Sequence, residues 1–165
     1  MPHDLFIHPE RISDKPLLFE GTARLEDLPR LEESLANDDF ELRYKVTARL
    51  DRQGRKVVSC IIEGFVFLTC QSTLEAFRHG ISIAERLVLV DTEADLPSIE
   101  EESDAEDYLV ADEPLSVADL VEDAVLLALP MVPRKPGVEE PKETGPKEQG
   151  TSPFAALASL KKRPK

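Results

Sequence analysis

The sequence has 165 residues and a mass of 18.4 kDa, room for one domain or for one domain with a tail. Its 41% apolar content suffices for a single core, but no run approaches the ~20 apolar residues that a membrane-spanning helix needs. Met1-Pro2-His3-Asp4 lacks the basic-then-apolar pattern of a secretory signal, and two cysteines make neither a disulfide framework nor a four-thiolate zinc site. These features predict a cytoplasmic protein that does not enter a membrane.

The net charge of −13 is concentrated. Residues 1–90 carry 12 basic and 15 acidic side chains, residues 91–130 carry 14 acidic and no basic ones, and residues 131–165 carry 8 basic and 4 acidic. The middle segment would repel a phosphate surface and attract a basic protein. A solvated loop that only aids solubility accounts for the same charge.

Residues 1–16, with three prolines and no sustained period, predict an irregular start, and residues 16–21 a short strand. Leu25, Leu28, Leu31 and Leu35 recur at spacings of three, three and four, which puts them on one face of a helix. Pro29 suits a first turn, so this helix is expected over about residues 28–35. From Phe40 to Leu50 six apolar and five polar side chains alternate, the pattern of a half-buried strand. Asp51-Arg52-Gln53-Gly54 is turn chemistry. Past Lys56, one parity carries Val58, Cys60, Ile62, Gly64, Val66, Leu68 and Cys70, which predicts a long antiparallel hairpin bent at Gly64.

A further strand is expected over residues 80–90, where Ile81, Ile83, Leu87 and Leu89 share a face. The acidic stretch, about 91–107, reads as a surface loop, and 107–111 as a short strand. Ser116 is placed to cap a helix over 117–129, with Asp119 at its positive end and Pro130 stopping it. Residues 124–129 are apolar all round, so that end is expected to be buried or docked.

Composition changes beyond Pro133. Residues 134–152 hold one apolar side chain, Val138, and read as a disordered linker. Phe154, Leu157 and Leu160 then line one side of a short helix over 153–165, ahead of Lys161, Lys162, Arg163 and Lys165. Such a tethered peptide suits docking on a partner or back onto its own domain. The expected architecture is an α+β domain over residues 1–133, with an antiparallel, partly closed, barrel-like sheet packed with two main helices. The linker and the short terminal helix follow.

Several chemistries lack their residues. No Gly-rich phosphate loop, nucleophile elbow or H-E-x-x-H motif is present. Nine aromatic residues, none alternating with basic ones along the chain, are poor material for a single-strand stacking platform. His79 fits a structural role on a strand. Cys60 and Cys70 lie ten residues apart on one strand, about 33 Å if the strand is unbroken, and read as small core residues.

Three blocks, in order, resemble the YceD-like family of large ribosomal RNA subunit accumulation proteins. They are Thr69-Cys70-Gln71-Ser72-Thr73-Leu74 after the hairpin, residues 118–133 with Leu127-Ala128-Leu129-Pro130, and the ending Ser152-Pro153-Phe154-Ala155-Ala156-Leu157-Ala158-Ser159-Leu160-Lys161. The resemblance runs from the first strand to the last helix. It implies a non-catalytic role in the synthesis, processing or stability of large-subunit (23S) rRNA. It marks Cys70, Leu74, Asp119, Leu120, Glu122, Asp123, Leu127, Leu129, Pro130 and Pro133, with Pro153, Phe154, Leu157 and Leu160 at the end. Many members carry a second cysteine where Thr73 stands, and a histidine or cysteine near Arg134-Lys135-Pro136. If those groups bind zinc in relatives, Cys70 is a remnant here and cannot hold the metal alone.

Two contact regions with a basic ribosomal protein or an rRNA-bound assembly factor follow. One is the acidic patch of Glu100, Glu101, Glu102, Asp104, Glu106 and Asp107. The other combines the marked residues of 119–133 with the terminal peptide, including Lys161 and Lys162. No cofactor, metal or small-molecule substrate is expected. The alternatives are a metal-dependent RNA-processing enzyme using Asp119, Glu122 and Asp123, and a small-molecule carrier built on a curved sheet.

Overall fold

The computed structural model describes residues 5–98 and 106–137. The chain divides into two units, Met1–Lys135 and Pro136–Lys165. The fold described here is that of the first, and the expected terminal helix lies outside the described residues.

Among the described residues, seven strands and two α-helices follow in order: β1 (Phe6–Ile7), β2 (Leu17–Thr22), α1 (Pro29–Glu32), β3 (Glu41–Leu50), β4 (Lys56–Thr69), β5 (Ala76–Val90), β6 (Asp107–Val110), β7 (Leu115–Ser116) and α2 (Val117–Ala128). Strands β2 to β6 form one sheet in chain order, while β1 and β7 pair separately. The pairings β2–β3, β3–β4 and β4–β5 are antiparallel. Strand β6 joins β5 in parallel, and residues 91–106 make the crossover that this needs.

The sheet is open, with β2 and β6 as its edges, so the expected partly closed barrel is not formed. Closure requires the edge strands to pair with a common tilt and stagger. The last strand is four residues long and is committed to β5, so it makes no such pairing. An open sheet also removes the enclosed barrel interior on which a small-molecule carrier would rely.

Alternation decides which way each strand faces. Leu42, Tyr44, Val46 and Ala48 of β3 and Val58, Cys60, Ile62, Val66 and Leu68 of β4 are buried on the inner face. Ile81, Ile83 and Leu89 of β5 join them, and Leu28, Leu31, Val117, Val121 and Val125 come down from the helical side. Gly64 has φ +151°, and a Cβ there would lie 1.8 Å from the Glu41 carbonyl oxygen. Only glycine lets β3 approach β4 so closely at this point. The hairpin turns at Gly54 (φ +78°), where Asp51 Oδ1 accepts from the backbone N–H groups of Gln53 and Arg55, each at 2.9 Å.

The first helix is shorter than its leucine spacing suggests. A 3-10 turn at Leu25–Asp27 precedes the four residues of α1. Ser34 and Leu35 then make i→i−3 bonds, and the Ala36 N–H donates to the Phe67 carbonyl at 2.8 Å. That bond draws the backbone against β4 and ends the helix. The leucines still face inward, Leu28 and Leu31 fully buried and Leu25 and Leu35 partly. Strand β5 starts four residues earlier than expected, because Ala76 pairs with Thr69.

Helix α2 follows its sequence signals. Ser116 caps it by accepting from the Asp119 N–H at 3.3 Å. Its apolar C-terminal half is not buried all round: Leu126 and Leu129 pack against the core, whereas Leu127 is 82% exposed. Among the described residues no helix is long and apolar enough to cross a membrane.

Candidate functional site

The fourteen acidic residues of 91–130 fall into three groups. Asp91, Glu93, Asp95, Asp107, Asp112, Glu113, Asp119 and Asp123 are exposed. Glu100, Glu101, Glu102 and Asp104 lie outside the described residues. Glu106 and Glu122 are engaged by arginines, Glu106 partly exposed at a cleft and Glu122 buried away from any partner.

Glu106 sits between Arg55 (3.1 Å) and Arg86 (2.8 Å), and both arginines also reach Asp51 (2.8 and 3.3 Å). Arg55 donates hydrogen bonds to Glu106 and holds its carboxyl below the usual 4.5, against the opposing effect of desolvation. Desolvation would raise the Asp51 carboxyl, but hydrogen bonds from the Arg55 backbone and guanidinium and from Gln53 hold it low. The Arg55 guanidinium is correspondingly raised, by Glu106 and then Asp51. The four groups tie the β3–β4 turn, β5 and the start of β6 together beside an open cleft of about 690 Å³.

Glu122 is 2% exposed. Its Oε1 accepts from the backbone N–H groups of Arg30 (2.6 Å) and Leu31 (3.0 Å), and its Oε2 from Arg30 Nε (2.7 Å). Asp123 takes the other arm of Arg30 at 2.7 Å. These carboxylates raise the Arg30 guanidinium further, Glu122 most. Glu122 is thus a structural group that caps the start of α1 from α2, not a surface contact. Asp119, Glu122 and Asp123 do not converge on one point, and the oxygens of Glu122 are already engaged. Among the described residues no group of three or more His, Cys, Asp or Glu side chains could hold a metal ion.

The remaining marked residues of this region separate by exposure. Leu120 is partly buried against the core, and Leu129, Pro130 and Pro133 are partly buried too. Leu129, Pro130 and Pro133 line a cleft of about 300 Å³ with Ser34, Leu68 and Leu126. Met131, 100% exposed, also lines it, whereas Leu127 and Val132 stand outside. Pro153, Phe154, Leu157, Leu160, Lys161 and Lys162 lie outside the described residues.

Cys70 is buried at the end of β4, where the chain turns back through Leu74 in the left-handed region (φ 59°). The Gln71 N–H donates to the Pro133 carbonyl (2.9 Å), and the Lys135 N–H donates to Cys70 Sγ (3.4 Å). Hydrogen bonds from the Thr73 side chain first, then from Lys135 and the Thr73 and Ser72 backbone, hold the thiol down to about 6 despite desolvation. Thr73 and Lys135, near which the family resemblance implied further ligand-type side chains, therefore meet at Cys70. Here they supply hydrogen bonds to one sulfur, which is not a metal-binding set. Cys60 behaves as a core residue: burial, then Glu85, pushes its thiol up to about 12.

One surface escapes the linear reading. Both helices pack on the inner face of the sheet, and most of the outer face is bare. Arg43 and Lys45 of β3, Ile61 of β4 and Arg78 of β5 are exposed there. The Arg78 guanidinium lies 4.1 Å from the centre of the Phe65 ring, and Phe67 meets Phe65 edge-on at 6.1 Å. Arg78 thus meets two aromatic rings across strands, a neighbourhood absent along the chain. The outward parity of the strands was readable; the register that makes these residues neighbours was not.

No solved structure matches the chain. A family model described as large ribosomal RNA subunit accumulation protein YceD matches residues 58–161. The match starts within β4, later than the first strand, and takes in the Cys70 turn and all of α2. With well over half of its length matched, the chain belongs to the YceD family, whose name assigns it a role in the accumulation of large-subunit ribosomal RNA.

Proposed function

We propose that this protein supports 23S rRNA accumulation without catalysis, by holding a basic ribosomal protein or a basic rRNA-bound assembly factor on its acidic side. The observation that carries this reading is the eight exposed carboxylates between Asp91 and Asp123, in a stretch of chain without one lysine or arginine. Such a surface steers a cationic partner into encounter, and salt weakens the effect. The tethered terminal peptide supplies a second contact, and two weak contacts on one chain raise avidity. The fixed hydrogen bonds of Glu122 weigh against the RNA-cleaving alternative.

The test measures binding of purified basic large-subunit proteins to the full chain at about 0.05 M and 0.3 M salt. The combined variant Asp112→Asn, Glu113→Gln, Asp119→Asn should associate more slowly and bind at least several-fold more weakly at the lower salt. Unchanged affinity there removes the reading. In cells, depletion should lower the ratio of large- to small-subunit rRNA.

A further inference from the structure

We infer that the bare outer face of the sheet is a binding surface for single-stranded RNA. The inference takes RNA as the polymer from the family's link to rRNA, and does not depend on the acidic surface having a protein partner.

The molecule as a whole is strongly negative, yet this face carries several exposed cations beside the carboxylates Glu20, Glu41 and Glu63. Along β3 the outward positions are Glu41, Arg43, Lys45, Thr47 and Arg49, and Arg52 follows in the turn. From Lys45 to Arg49 is about 13 Å along an extended strand. Arg43 pairs with Glu41. Lys45, Arg49, Arg52 and Arg78 form no ion pair among the described residues, although Glu20 of β2 stands opposite Lys45 in register. Unpaired exposed cations at strand spacing suit successive phosphates, which need charge and reach but no fixed geometry.

The end of the face near Phe65 offers something for a base. Phe65 pairs in register with Gly80, and nothing lies within 4 Å of where a Cβ at Gly80 would stand. Bare backbone therefore borders the ring. Arg78 lies over that ring, and a guanidinium held flat presents a second plane on which a base can stack. Arg43, Glu41 and Glu63 complete a shallow recess of about 280 Å³ with Gly64, Phe65 and Arg78. The two carboxylates can accept hydrogen bonds from the exocyclic amines of a base. An A-form duplex keeps its bases stacked inside, so this recess favours a single strand.

The test uses the full chain and a fluorescently labelled single-stranded RNA of about twelve nucleotides and mixed sequence, with the matching duplex for comparison. Anisotropy should show saturable binding at about 50 mM salt that weakens steeply toward 200 mM. The double variant Lys45→Glu, Arg49→Glu should lose at least about ten-fold in affinity. Arg78→Ala, an exposed position, should lose several-fold and reduce ultraviolet cross-linking to β4 and β5. The Asp112, Glu113 and Asp119 variant, in contrast, should bind this RNA as well as the parent or better. Absence of binding at low salt overturns the inference. So does full retention of affinity in the Lys45/Arg49 variant with an unchanged thermal midpoint, since the RNA then sits elsewhere. Tighter binding of the duplex overturns it as well.

Discussion

The Cys70 thiol is ringed by donors, and its titration is tied to the fold. In the folded chain it is held down to about 6, against an ordinary 9.0. The unfolded chain therefore keeps a proton on this sulfur that the folded chain has released. The resulting stabilisation is complete above about pH 9, shrinks as the pH falls, and is gone below about 6. The gap in thermal midpoint between the parent and Cys70→Ala should accordingly be widest near pH 9 and narrowest near pH 6. A gap that does not change with pH would show that the sulfur is only filling space. Sequence parity put Cys70 inside the domain, and the family resemblance implied a second cysteine where Thr73 stands. It could not show the Lys135 N–H, which comes from 65 residues away and is backbone, indifferent to the side chain attached.

At the scale of elements, strands were legible and the first helix was not. Strands β3 and β4 announce themselves because alternation and burial are the same fact in a half-buried sheet. The leucine stripe of 25–35 correctly marked a buried face, but α1 stops after Glu32 because a carbonyl of β4 captures Ala36. A four-residue helix has no independent stability. The N–H groups at its start, which have no partner within the helix, are instead satisfied by Glu122 of α2, 91 and 92 residues away. Glu122→Ala should thus destabilise the protein by about 2 kcal/mol in urea unfolding, because it leaves buried donors without an acceptor. Glu122→Gln, which keeps one acceptor, should cost less. Equal, small losses in both would mean that α1 is held by its leucines alone.

Over the whole molecule, adding charges along the chain told half of the story. The acidic total is real, but Lys45, Arg49 and Arg78 share an exposed sheet face and form no ion pair among the described residues, a grouping that depends on strand register. The crossover from β5 to β6 has a further consequence. Parallel pairing across sixteen residues, 91–106, is closed late and opened cheaply, since its partner contacts are distant and few. Strand β6 pairs on one side only and is fastened where Arg55 and Arg86 grip Glu106. In native-state hydrogen exchange, amides that bond β6 to β5 should therefore exchange well before those between β3 and β4. Arg55→Ala should hasten the former and leave the latter unchanged. Uniform protection would mean that the sheet opens as one unit. With β6 detached, β2 to β5 remain a complete four-stranded sheet, so the loss of this edge strand leaves the rest of the domain a sheet to fold around.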